Sequence, residues 1–478
     1  MNNFEVIIGI ENHIELKTKT KMFSPAPVSY GQIPNTQVHE VDMAYPGTLP
    51  TVNKQAIKLA ILTCNALNLK IDSLLKFDRK NYFYPDLTKG YQITQQYNPI
   101  GKDGKLEIEV NGEKKIVEIE RLHIEEDTAK QIHKDNLTYI DFNRAGTPLV
   151  EVVTKPVMRN ADEACAYVEK LREVLLFLKV SDVKMNEGSL RTDVNISIRP
   201  FGVTEFSNKV EIKNLNSISN IKKSIDYEID RQTKLMLNNE IIKQETRRFD
   251  DQTNSTVAMR SKTDALDYKY FREPNIAPIQ IDKSWIKEII NQSPESPDVK
   301  RVKYQEVYGL SLYDTNNLLA NLELNDFFEE TIKLTNDYQR VANLLTSDIQ
   351  AILNDRNTTI DTLKITPQNL SELITLIKEG IISSKHYKTL IPIMVDSEVL
   401  LQDLIEELKI KIISDEATIV KLLNPIIENN SELIKEYNER PERVTKTIMG
   451  QLMKQTGGNV NPEKSMQIII DIIKNQLI

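Results

Sequence analysis

An α+β protein is predicted: a large mixed α/β domain, followed by a helical bundle and a small all-helical tail. Three observations predict it. Two-residue alternation of apolar and polar side chains recurs through the first part of the chain, from Phe4 to Asn216. A Pro-rich break at Ser293 to Pro297 marks a change of composition, and beyond it apolar residues recur at helical spacing. The 478 residues are too many for one compact core, and at ~150 residues per domain about three are expected. The boundaries expected are 1–291, 292–410 and 411–478.

The opening run, Phe4 to Leu16, switches to strict alternation in its second half. A strand there puts Glu11, His13 and Glu15 on one face and Ile10, Ile14 and Leu16 on the other. Carboxylate, imidazole and carboxylate at two-residue steps are either the wet face of a half-buried strand or a row of metal ligands and proton carriers. Lys17 to Pro50 is punctuated by Pro25, Pro27, Pro34, Pro46, Gly47 and Pro50 and reads as turns. The spacing of Ala56, Ile57, Ala60, Ile61, Cys64 and Leu67 predicts an amphipathic helix over 54–69, with Cys64 on its core side.

Between Lys76 and Gln95, Arg79, Lys80 and Lys89 are interleaved with Phe77, Tyr82, Phe83, Tyr84 and Tyr91. Such a segment either holds a phosphate beside an aromatic pocket or forms a strand pair with one aromatic and one basic face. Asn111-Gly112 signals a type I′ hairpin within the alternating stretch 100–119. In Arg121 to Lys130, His123 is followed by Glu125, Glu126 and Asp127; consecutive acids repel unless a cation neutralises them, or they form a solvated turn. Thr138 to Val153 reads as strand, glycine turn, strand, carrying Asn143 and Arg144 into the turn. A helix follows from Asn160 to Lys179.

Two more alternating strands repeat the opening pattern. One places Arg191, Asp193 and Asn195 on a single face, and the next, Lys209 to Asn216, does the same with Lys209, Glu211 and Lys213. Three strands offering acids on one face make a carboxylate-lined sheet, and that is a cation site unless each acid finds a Lys or Arg. Gln244 to Asp251 and Asp267 to Pro274 are expected to add basic and aromatic residues in loops.

Composition narrows the class. With 40% hydrophobic and 27% charged residues the chain is ordinary for a soluble globular protein. Two cysteines, Cys64 and Cys165, exclude a disulfide framework or a Cys-rich zinc site, so a reducing, cytoplasmic setting is expected. No apolar stretch of ~20 residues and no signal-like start occur, so no membrane partner is expected. A net charge of −8 leaves any RNA contact to local patches.

GIENHIELKT, KFDRKNYFYPD, RLHIEEDTAK, NRAGTPLVEVV, DVKMNEGSLRTDVNIS, VEIKNLNS and QETRRFD occur in this order. Together they resemble the B-subunit family of the bacterial aspartyl/glutamyl-tRNA amidotransferase, over nearly the whole chain. The resemblance implies ATP-dependent phosphorylation of the side-chain carboxylate of Glu-tRNA(Gln) or Asp-tRNA(Asn). It also implies ammonia delivered through a tunnel from a glutaminase A subunit, and a small C subunit joining the two. Residues matching the family's metal site are Glu11, His13, Glu126 and Glu211, with Asp193 a weaker match, for Mg2+ or, through the imidazole, Mn2+. Catalytic roles are expected of Glu11, His13, Glu126 and Lys80; Lys80 matches a position near the phosphates or at the tunnel mouth, and Lys80 and Arg191 are expected to bind the nucleotide. Glu126 ranks above Glu125 and Asp127, which alternation along one strand would put together on the other face.

Departures from the family pattern are local. Where many members carry four cysteines for a structural zinc, this chain has Ser24, Ala26, His39 and Asp42, so no zinc is expected and packing is left to hold the loop. Asn12 replaces a small apolar residue, and Arg272 and Asn275 replace Pro and Asp. Downstream, helices are predicted from Asp298 to Ile405, one of them capped by Thr366 ahead of Pro367, and another capped by Ser414. The tail signature Thr447 to Pro462 resembles the family's tRNA-engaging domain. Arg440, Arg443, Lys446 and Lys454 either meet tRNA phosphates or, interleaved with Glu436, Glu439 and Glu442, form a solvated face. A catalytically silent tRNA-binding scaffold is the alternative function.

Overall fold

The structure, a computed structural model, describes residues 4–261, 267–398, 400–408, 410, 413 and 415–477. Where composition suggests three domains, it divides into two compact units, Met1–Pro297 and Asp298–Ile478.

The first unit begins with β1 (Phe4–Glu15), α1 (Lys54–Ala66), β2 (Lys70–Ile71), β3 (Leu74–Leu75), β4 (Asp78–Asn81), β5 (Tyr91–Thr94), β6 (Gly101–Val110) and β7 (Glu113–Glu126). Next come β8 (Lys130–Lys134), β9 (Leu137–Asp141), β10 (Pro148–Thr154), α2 (Ala161–Phe177), β11 (Leu190–Pro200), β12 (Val210–Lys213) and α3 (Ile218–Leu237). β13 (Glu245–Asp250), β14 (Ser255–Ser261), β15 (Phe271–Arg272), β16 (Ile279–Gln280) and α4 (Lys283–Asn291) close it.

Nine strands form one sheet in the order β14-β13-β12-β11-β1-β10-β7-β6-β2, with β1 at its centre. All pairings in it are antiparallel except β12 with β13. One face is apolar: Ile10, Ile14, Leu122, Val152 and Val194 share a core with Ile61 and Cys64 of α1, Ala164 and Val168 of α2 and Ile221 of α3. The helices start where side-chain caps allow, with Asn53, Asn160 and Ser217 accepting from the backbone N–H groups of each first turn. The β6–β7 hairpin turns at Asn111 and Gly112, both at positive φ (54° and 81°), as type I′ geometry requires.

Two expectations need correction, and one substitution finds its place. Gln244 to Asp251 is not a loop: most of it is β13, and its strand character is masked because Arg247 is spent on ion pairs with Glu228 and Glu245. The Pro-rich loop is not held by packing alone, since Lys21 and Asp42, both buried, form an ion pair at 3.1 Å. Asn12 lies on the apolar face of β1, where its Nδ2 donates to Thr192 Oγ1 at 2.9 Å and its Oδ1 has no partner among the described residues.

The second unit is helical. Thr366 caps the helix Pro367–Lys378 as its position before proline predicts. The helix Glu416–Glu428 is capped by Asp415, one residue past the expected Ser414, which lies outside the described residues. The tail carries its own core, including Ile419, Leu423, Val444, Ile448, Leu452 and Ile469. Among the described residues no helix is long and apolar enough to cross a membrane.

Candidate active site

Residues paired directly across antiparallel strands lie on the same face of a sheet. In β1 Glu11 faces Asp193 of β11, and His13 faces Glu151 of β10 on one side and Arg191 of β11 on the other. Glu151 in turn faces His123 of β7, and Asn195 faces Glu211 of β12. The face away from the helices is thereby lined with acids and imidazoles across five adjoining strands.

These side chains gather into two groups of three, His13–Glu125–Glu151 and Glu11–Asp193–Glu211, each with ligand atoms within 4.8 Å of one another. In the first, His13 Nδ1 lies 3.1 Å from Glu125 Oε1 and 3.9 Å from Glu151 Oε2. Behind it, buried His123 places Nε2 3.1 Å from Glu151 Oε2 and 3.4 Å from Glu125 Oε2. Burial opposes the charge on His123, but Glu151 and Glu125 outweigh it and raise its pKa to about 9. Burial likewise opposes the charge on Glu151, and His123 and His13 overcome it, holding that carboxyl at about 2. In the second group, Glu11 accepts from Asn195 Nδ2 at 2.9 Å, and burial together with Glu151 raises its pKa. Asp193 and Glu211 share the ammonium of Lys213, at 2.8 and 3.2 Å.

A cavity of about 1210 Å³ opens on this face, lined by His13, Glu125, Asp127, Lys80, Arg144, Arg191 and Lys213, among others. Arg144 Nε and Arg191 Nη2 grip the two oxygens of Asp127 at 2.6 and 2.9 Å, so Asp127 aims two guanidinium groups along the wall. Lys80 lies 4.8 Å from the ring centre of Tyr268 and has no hydrogen-bonded carboxylate among the described residues. Burial works against its charge, and Glu125, Tyr270, Tyr268 and Glu151 together outweigh it, raising its pKa. The donors are hard oxygens and one accessible imidazole, a set that suits Mg2+ or Mn2+, and an ammonium already stands among the oxygens of the second group. The site's chemistry therefore fits a divalent cation beside an anion-binding wall.

The sequence-predicted residues meet different fates. Glu11, Asp193 and Glu211 converge, His13 joins the neighbouring group, and Lys80 and Arg191 line the cavity. Glu126 does not join them. Its carboxylate is buried on the far side, bound by Lys89 Nζ at 2.5 and 2.6 Å and by the Ile93 N–H at 3.0 Å. The ranking of the three acids is therefore reversed: the face shared by Glu125 and Asp127 is the one that opens on the cavity, and Glu126 points away with its charge already neutralised. Glu151 was not foreseen; its signal is a lone carboxylate inside the otherwise apolar run PLVEVV. His123 lies in a quoted motif, yet only the register of β7 on β10 gives it partners.

Two family models match the chain: one described as the GatB/GatE catalytic domain over residues 6–287, and one described as a GatB domain over 326–473. The chain is 71% identical, over 100% of both chains, to the B subunit of the aspartyl/glutamyl-tRNA(Asn/Gln) amidotransferase from Mesoplasma florum. It is 63% identical to the protein of the same name from Mycoplasma capricolum over 100% of both chains. With that from Staphylococcus aureus the identity is 44% over 99% of both.

Proposed function

The chain belongs to the GatB family of amidotransferase B subunits, and from that premise we propose that it uses ATP to activate the side-chain carboxylate of an aminoacyl-tRNA for amidation. The substrates are Glu-tRNA(Gln), Asp-tRNA(Asn) or both; ammonia comes from a glutaminase A subunit, and a small C subunit completes the heterotrimer, which works in the cytoplasm. A carboxylate oxygen is a poor leaving group. Transfer of the γ-phosphoryl group of ATP onto it gives an acyl phosphate and ADP, and attack by ammonia then expels phosphate and leaves the amide.

The observation that carries this reading is the pair of three-residue groups, His13–Glu125–Glu151 and Glu11–Asp193–Glu211, on the sheet face beside the cavity. Those residues would hold divalent metal, which when bound offsets phosphate charge and keeps the transferring group in line. Lys80 offers the substrate phosphates an ammonium that no carboxylate among the described residues binds, and Arg191 and Arg144, held by Asp127, present theirs from the adjacent wall. His123 keeps Glu125 and Glu151 ionised and oriented. A catalytically silent scaffold leaves this donor set unexplained.

The test is amidation of misacylated tRNA by the complete complex, with Glu11→Ala, Glu125→Gln and Glu151→Gln examined in turn. Each is expected to lower ATP-dependent amidation about a hundredfold or more, with glutamine hydrolysis and tRNA binding retained. Amidation at the wild-type rate in any one of them sinks the assignment of that residue; in all three, the proposal.

A further inference from the structure

We infer that Lys213 is a built-in counter-ion of the Glu11–Asp193–Glu211 group, displaced when a divalent ion arrives and then free to meet a substrate phosphate. The inference rests on the metal reading of that group given above and adds an order of events to it: cation first, phosphate second.

Lys213 is the last residue of β12, two positions beyond Glu211, so both side chains leave the strand on the same face. Its Nζ bridges Asp193 Oδ2 at 2.8 Å and Glu211 Oε1 at 3.2 Å, occupying oxygens that would ligate the ion. The lysine does not satisfy the group. Its ammonium reaches Asp193 and Glu211, whereas Glu11 has only the amide of Asn195 as a hydrogen-bond partner among the described residues.

A divalent ion on the same oxygens repels a neighbouring ammonium and takes its acceptor lone pairs, so the two cations cannot occupy the group together. The displaced head has somewhere to go. Lys213 and Asn214 line the cavity that Lys80 and Arg191 also line, and the lysine side chain is 40% exposed. Four single-bonded carbons allow the ammonium to swing without moving the strand, and a compact ammonium is a good point-charge partner for phosphate.

The test uses the complete complex and Mn2+, followed by its paramagnetic signal with no nucleotide present. Lys213→Met, which keeps the stem and removes the charge, is expected to bind Mn2+ about tenfold more tightly, because one competing unit charge is gone. With Mn2+ saturating, the same variant is expected to bind ATP about tenfold more weakly, having lost one charged contact. Lys213→Arg keeps the charge in a two-pronged head that grips carboxylates harder, so it should bind Mn2+ less tightly than wild type.

Mn2+ affinity in Lys213→Met equal to or below wild type overturns the proposal. If that variant does not fold, Mn2+ affinity in Lys213→Arg equal to or above wild type overturns it instead. Glu11→Ala separates the two layers. Unchanged Mn2+ binding in Glu11→Ala defeats the metal reading itself; weakened binding there, without tightening in Lys213→Met, leaves the site standing and removes the role of the lysine.

Discussion

Glu125 and Glu126 are neighbours in sequence and on opposite sides of β7, and that single pleat decides which of them faces the cavity. Glu125 touches both imidazoles at the cavity; Glu126 is buried under Lys89 and the Ile93 N–H. Glu126→Gln is therefore expected to leave Mn2+ binding largely unchanged, whereas Glu125→Gln and Glu151→Gln weaken it about tenfold or more. Equal losses in the three would return Glu126 to the ligand set. The residue types were legible in the sequence: Glu11, His13, Asp193 and Glu211 stand out by alternation alone. Which acids a cation would share was not, because Glu151 and His123 become partners only through the register of β10 with β1 and β7. Lys213 shows the same limit, since alternation puts it beside Glu211 but not onto Asp193.

At the scale of elements, the sheet is held to its helices by contacts that tolerate little change. Gly104 of β6 passes so close to the end of α1 that a Cβ there would lie 2.6 Å from the Leu67 carbonyl oxygen. Gly104→Ala is expected to cost roughly 1–3 kcal/mol, read as a lower urea midpoint of the first unit; an unshifted midpoint would mean that the helix end gives way freely. On the other side, Glu228 of α3 is fully buried and takes hydrogen bonds from Arg231 at 2.9 and 2.8 Å, from Gln232 at 3.0 Å and from Thr256 of β14. Burial pushes its pKa up, and those donors together with the Arg231 charge pull it below the ordinary glutamate value. A folded pKa below the unfolded one means stability that is present above about pH 4.3 and lost as pH falls through the folded value. Glu228→Gln should cost about 3 kcal/mol at neutral pH, because Arg231 and Arg247 lose a buried partner, and the gap should close in acid. Urea unfolding of both proteins across that range measures it, and a gap independent of pH would remove the charge from the explanation.

For the molecule as a whole, a net charge of −8 means that tRNA must be met by local cations. In the tail, Arg443 and Lys446 are paired with Glu436 and Glu442 at 3.3 and 3.0 Å, whereas Arg440 and Lys454 are exposed and have no ion-pair partner among the described residues. Replacing Arg440 and Lys454 together with alanine is expected to flatten the dependence of log K on log salt for tRNA binding by about 1–2, as each lost phosphate contact removes roughly 0.9. Replacing Arg443 and Lys446 should change it less, and the opposite ranking would show that the pairs open on the RNA.

The sequence by itself determined the α+β class, the Thr366 cap, the Asn111-Gly112 hairpin and which acids of one strand share a face, because these follow from side-chain periodicity and local backbone preference within a few residues. Only the tertiary structure decided that Glu126 is spent on Lys89, that Glu125 and Glu151 share two imidazoles, and that Lys213 sits among the acids of the second group. Charge compensation depends on distances between strands far apart in the chain, and no local pattern encodes those distances.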